Sequence, residues 1–130
     1  MAGALRTYLV CITSGGAVLA RLRLNSSWAP RNVDSVVSAL PLRARTFEVP
    51  PGLVCVQLDR RLVPERPVTE AREGDVLAVT GLNYLAVAKT RLRLRYKATL
   101  IGRVEEGLER LVPSLNVVLE VCGGDPGQVR

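Results

Sequence analysis

The stretch ATLIGRVEEGLERL, Ala98 to Leu111, decides how the rest of the chain is read. Thr99, Leu100 and Ile101 have strand propensity, Gly102 permits a bend, and Val104, Leu108 and Leu111 recur at spacings of four and three. That pattern predicts a strand feeding a short amphipathic helix, Glu105 to Leu111. Pro113 cannot continue a helix, and NVVLEVC, Asn116 to Cys122, reads as a buried strand returning after it. The unit is strand, helix, strand.

Upstream, the chain is built of short strands. Leu5 to Thr13 and Ala17 to Leu24 flank Ser14-Gly15-Gly16, which predicts a hairpin. In its second arm Val18, Ala20, Leu22 and Leu24 face one way and Arg21 and Arg23 the other, as one buried face requires. Val33, Val36, Val37 and Leu40 share one helical face, so Asn32 to Leu40 is predicted helical, with Asn32 or Pro30 at its start and Pro41 as its stop. Leu42 to Val49 alternates, with Leu42, Ala44 and Thr46 opposite Arg43, Arg45 and Phe47, and LVCVQL, Leu53 to Leu58, is a further strand after Pro50-Pro51-Gly52. Arg60 to Glu73, with Pro64, Pro67 and many charges, is expected to be mostly exposed loop. Val76 to Val79 and Tyr84 to Ala88 form a pair of strands around Gly81-Leu82-Asn83. Up to nine strands and two short helices describe a mainly β chain, a closed or nearly closed barrel with helices at its ends.

At Leu100, Ile101, Gly102, Arg103, Val104, Glu106 and Gly107 the chain resembles the cyclophilins, whose closing segment follows V-F-G-x-V-x-E-G-x-x-x-V. It is most similar to the small cyclophilin-like proteins of bacteria and archaea. GDVLAVTGLNYLAVAKT, Gly74 to Thr90, also looks like their Gly-Asp strand, turn and strand. The resemblance implies a cyclophilin-like barrel spanning residues 1–130 as a single domain. It also implies a site beside the arginine that isomerising members carry after the first helix. Arg45, with Arg43 as its neighbour, stands in that region, and PPGLVCVQ, Pro50 to Gln57, is similar to the P-G-F-M-C-Q run. Arg43, Arg45, Phe47 and Gln57 are therefore the ligand-binding candidates, and Arg45 or Arg43 the catalytic ones. The proline pocket of the family does not carry over. Leu53 replaces the aromatic after Pro-Gly, and the chain contains no histidine.

Composition narrows the chemistry. The 130 residues are 48% hydrophobic with few aromatics, so Val, Leu, Ala and Ile must fill the core of one ordinary domain. Without histidine there is no imidazole acid or base. Cys11, Cys55 and Cys122 lie far apart in apolar runs and form no C-x-x-C, so they are expected as three buried, unbridged thiols without zinc. No apolar run reaches the roughly 20 residues needed to span a bilayer. The N-terminal stretch is too short and polar for a signal peptide, and a reduced, cytoplasmic protein is expected.

The net charge is +6, and 16 of the 18 basic residues are arginine. A planar guanidinium pairs bidentately with phosphate or carboxylate. In TRLRLRYKA, Arg91, Arg93 and Arg95 fall on one face of an extended segment at roughly 7 Å intervals, with Leu92, Leu94 and Tyr96 on the other. That row is either a solvated edge that discourages strand-to-strand aggregation or a track for nucleic-acid phosphates. Three functions follow, in order. The first is a small-ligand or peptide-binding module without cofactor or metal and without the family's usual isomerase activity. The second is a weak or divergent prolyl isomerase, whose mechanism needs an apolar pocket and a donor to the proline nitrogen. The third is a nucleic-acid binder using the arginine row.

Overall fold

The computed structural model describes residues 6–124. The N-terminal hairpin forms as its glycines predict. β1 (Thr7–Ser14) and β2 (Ala17–Asn25) pair antiparallel, and Gly15 and Gly16 take the positive φ values of 59° and 84° that a tight hairpin turn demands. Leu5, expected to open the first strand, lies outside the described residues. Ala20, Leu22 and Leu24 are fully buried, while Val18, near the turn, stays exposed.

Helix α1 (Pro30–Ser38) starts on Pro30 and buries Val33 and Val36, with Val37 and Leu40 packed beside them. Asn32 does not cap it. Its side chain is fully buried, donating from Nδ2 to the Val63 carbonyl at 2.7 Å and accepting the Val63 N–H at 2.8 Å. The free N–H groups of Arg31 and Asn32 are instead taken by the Glu65 carboxylate, at 3.0 and 2.8 Å, a favourable charge for a helix start.

The remaining elements are β3 (Leu42–Arg45), β4 (Phe47–Val49), β5 (Leu53–Gln57), β6 (Val68–Ala71), β7 (Asp75–Val79), β8 (Tyr84–Ala88), β9 (Leu92–Glu106), a 3₁₀ turn (Leu108–Arg110) and β10 (Asn116–Gly124). All ten strands belong to one antiparallel sheet in the order β3-β10-β1-β2-β9-β7-β8-β5-β4, with β6 added to β9. The two ends of that path, β3 and β4, are not paired with each other. They are consecutive in the chain, separated by Thr46 alone.

Two apolar clusters result, one on each side of the wall formed by β5, β7 and β8. Leu22, Leu24, Val33, Val76, Ile101 and Leu119 fill the larger one beneath α1. Leu53, Cys55, Leu77, Val79, Ala86 and Leu92 fill the smaller, covered by β6 and the first half of β9. Strands buried on both faces carry continuous apolar runs, which is why β7 and β8 lack polar alternation.

Three expectations are corrected. Glu105 to Leu111 is not a helix: β9 continues to Glu106, Gly107 turns left-handed at φ 89°, and only Leu108–Arg110 winds, as a 3₁₀ turn. Pairing with β2 overrides the apolar spacing, and Arg21–Glu106 (2.8 Å) and Arg23–Glu105 ion pairs hold the strand end. The supposed loop from Arg60 to Glu73 contains β6, because Ala71 is buried opposite Leu92 on β9. The cysteines are not three free thiols. Cys11 and Cys122 are disulfide-bonded across 111 residues, and Cys55 alone is free. A cytoplasmic setting thus loses its support from reduced thiols. No helix among the described residues is long and apolar enough to cross a membrane.

Candidate functional site

Arg43 and Arg45 project from β3, the strand at one end of the sheet. The alternation Leu42, Ala44, Thr46 inward and Arg43, Arg45 outward is present, because β3 packs one face on the main core and leaves the other exposed. Pairing of β3 with β10 sets Arg43 opposite Val118 and Arg45 opposite Asn116. Between these strands and the β1–β2 turn lies a groove of about 620 Å³ lined by Thr13 to Gly16, Arg43, Ala44 and Asn116 to Val118. The Ser14 hydroxyl donates to the Asn116 carbonyl at 2.8 Å, and Arg45 Nη1 reaches Asn116 Oδ1 at 3.5 Å. Arg43 forms no ion pair or side-chain hydrogen bond among the described residues. The groove thus holds one uncommitted guanidinium beside a hydroxyl and a carboxamide, and no acidic residue lines it.

Phe47 and Gln57 do not join this groove. Phe47 packs on the smaller core with its ring edge-on to Tyr84, the centroids 4.9 Å apart. Gln57 pairs with Tyr84 along β5 and β8, and its Nε2 donates to the Leu82 and Asn83 carbonyls at 3.0 and 3.2 Å, fastening the β7–β8 turn. The four ligand candidates therefore split into an arginine pair at the β3–β10 edge and a packing pair near Tyr84. Ser14 and Asn116 were not legible as site residues: both stand beside strand ends, and only the pairing of β1 and β3 with β10 brings them to Arg43.

The arginine row on β9 divides as well. Arg91, Arg93 and Arg95 are exposed, as expected, but Glu70 on β6 sits within 3.6 Å of Arg91 and 3.9 Å of Arg93. Arg95 has no acidic partner among the described residues. Tyr96, expected on the apolar side with Leu92 and Leu94, is instead 46% exposed. Nearby in sequence, Lys89 is structural. Its Nζ donates to the carbonyls of Leu108 and, at 2.6 Å, Leu111, closing the 3₁₀ turn, and burial pulls its pKa down against the opposing pull of Glu109 and Glu73.

Gly102 and Gly107, central to the resemblance, serve packing. A Cβ on Gly102 would lie 2.1 Å from the Arg23 carbonyl oxygen, and one on Gly107 2.0 Å from that of Leu19. Gly74 shapes the turn into β7, where Arg72 N–H donates to Asp75 Oδ2 at 2.9 Å. These are scaffold positions.

No family model and no curated protein matches the sequence. Among solved structures, the chain is similar to the solution structure of the hypothetical protein AF2241 from Archaeoglobus fulgidus. The TM-score is 0.70 at 20% identity, over 92% of this chain and 98% of that one. The likeness extends to the fold alone.

Proposed function

We propose that the chain is a small-ligand or peptide-binding module on a cyclophilin-like barrel, and that its site is the Arg43 groove. Closure is supported at Thr46, where the two sheet ends meet. Its N–H donates to the Leu115 carbonyl and its own carbonyl accepts from Ser114 N–H, both at 2.8 Å. The observation that carries the functional reading is the uncommitted Arg43 guanidinium in a groove without acids. A carboxylate, from a metabolite or from an acidic or C-terminal group of a peptide, is a ligand that such a group binds well, because charge-assisted bonds are the stronger kind. Isomerase activity is not part of this reading. The family's proline pocket does not carry over, and the two ligand candidates other than the arginines are otherwise engaged, Phe47 with Tyr84 and Gln57 with the β7–β8 turn.

The test is a thermal-shift screen of dicarboxylates and short peptides with free C-termini, run beside a protease-coupled assay on proline tetrapeptides. A ligand shift is expected that weakens about ten-fold in Arg43→Ala, as loss of a charged hydrogen bond implies, while the tetrapeptides isomerise at the background rate. Turnover above background and abolished by Arg45→Ala would move the assignment to an isomerase. A shift indifferent to replacing both arginines would put the site elsewhere.

A further inference from the structure

The β6–β9 ladder contains a large irregularity. Val68 pairs with Ala98 and Glu70 with Arg93, so one residue, Thr69, lies between the paired positions on β6 and four, Leu94 to Lys97, on β9. The surplus leaves the ladder as a bulge, and Arg95, Tyr96 and Lys97 are exposed in succession, which regular strand alternation forbids. Bulges that re-aim side chains are concentrated beside functional sites. The end of this bulge is anchored: Thr80 N–H donates to the Lys97 carbonyl at 3.0 Å.

Beside it runs a groove of about 710 Å³, walled by Tyr96 and Lys97, by Thr80, Gly81 and Asn83 of the β7–β8 turn, and by the segment Arg61 to Pro64. That segment is fixed from beneath. Leu62 N–H donates to Asn83 Oδ1 at 3.0 Å, and Val63 exchanges two hydrogen bonds with the buried Asn32 side chain. Arg61 and Lys97 line the groove without an ion pair among the described residues, and none of the lining residues is acidic. The Tyr96 ring has no aromatic partner there.

We infer that this groove, independently of the Arg43 site, binds a nucleotide unit, its phosphate on Arg61 and Lys97 and its base stacked on Tyr96. Two cations alone would suit any anion. An exposed aromatic face adjoining them favours an anion that carries a flat ring, since every nucleobase offers a π-face to stack. The same chemistry comes from a free nucleotide or from a single strand. Arg91 and Arg93, both held by Glu70, are outside the site.

The experiment titrates the wild-type chain into a short fluorescein-labelled single-stranded oligonucleotide at about 0.15 M salt. Adenosine monophosphate, uridine monophosphate and inorganic phosphate serve as competitors. Saturable binding is expected, weakened about ten-fold by Tyr96→Ala, retained by Tyr96→Phe, and changed less than about two-fold by Arg93→Ala. Arg61→Ala with Lys97→Ala should weaken binding and flatten its salt dependence. Monophosphates that compete with the same Tyr96 dependence identify a free-nucleotide site; competition by oligonucleotides alone identifies a strand-binding one. Either supports the inference. It is overturned by absence of saturable binding, by equal affinity in Tyr96→Ala, by a loss in Arg93→Ala as large as in the groove variants, or by phosphate competing as well as the monophosphates.

Discussion

Cys11, Cys55 and Cys122 have similar neighbours in sequence and different fates in the fold. Cys11 on β1 faces β10, where the ladder slips between Leu9 and Val10 and leaves Cys122 as the unpaired residue close enough to bridge. No local pattern encodes that slip; burial holds at Cys11 and Cys55 but not at Cys122, which is exposed, and the pairing is legible at none of them. Titration of the denatured, non-reduced chain should find one thiol, rising to three on reduction. Reduction should lower stability by about 2–4 kcal/mol, as expected for a bridge closing so long a loop. Cys55 carries a second expectation. Burial pushes its thiol from 9.0 up to about 12. The folded chain therefore keeps a proton that the unfolded chain releases, so this stabilisation is complete below pH 9.0 and is lost as pH rises toward 12. Unfolding free energy of the wild type should fall across that window relative to Cys55→Ala, with a slope approaching about 1.4 kcal/mol per pH unit. Parallel profiles would mean that the thiol is not shielded.

From Ala98 to Gly102 the chain forms the strand its residues predict, and beyond Gly102 it departs from the predicted helix. Three apolar residues at helical spacing are a short signal, and fifteen residues of β9 pairing in turn with β6, β7 and β2 outweigh it. The glycines in the stretch permit that path. Gly102→Ala would force a methyl against the β2 backbone, and Gly107→Ala would add a left-handed φ to the same clash. Each is expected to cost about 3 kcal/mol or more in urea unfolding. Gly81→Ala is the control: its φ is 86° but nothing lies within 4 Å of the added carbon, so about 1 kcal/mol is expected. Equal costs at all three positions would show that close approach of β2 is not what the motif protects. The hairpin, α1 and the alternation in β3 were legible because each buries one face. β6 was not, since Pro64, Pro67 and the neighbouring charges mask its two inward contacts at Val68 and Ala71. The bulge at Arg95 to Lys97 was invisible for a related reason: strict alternation in TRLRLRYKA suggests a regular strand, and only the register against β6 breaks it.

Across the whole molecule, the chain places a second apolar cluster on the far side of the β5–β7–β8 wall, and Thr46 is the single residue that links β3 and β4, the two ends of the strand order. Phe47 and Val49 continue the outward face of Arg43 and Arg45, yet they are half-buried on the smaller cluster while the arginines face solvent. Which outward positions are covered is a property of the arrangement, absent from the period-two pattern itself. Thr46 is buried, and its Oγ1 donates to the Val112 carbonyl at 2.7 Å and accepts the Leu115 N–H at 2.9 Å. Thr46→Val keeps the volume and orphans both groups, which should cost about 2 kcal/mol. The closure proposed at this residue makes a sharper prediction for amide hydrogen exchange. If β3 and β4 are held together here, protection should fall in the same variant at Val117 to Leu119, beside β3, and at Leu53 to Cys55, beside β4, although these segments lie at opposite ends of the strand order. Loss of protection beside β3 alone would mean that the ends open independently and that the sheet does not behave as a closed barrel.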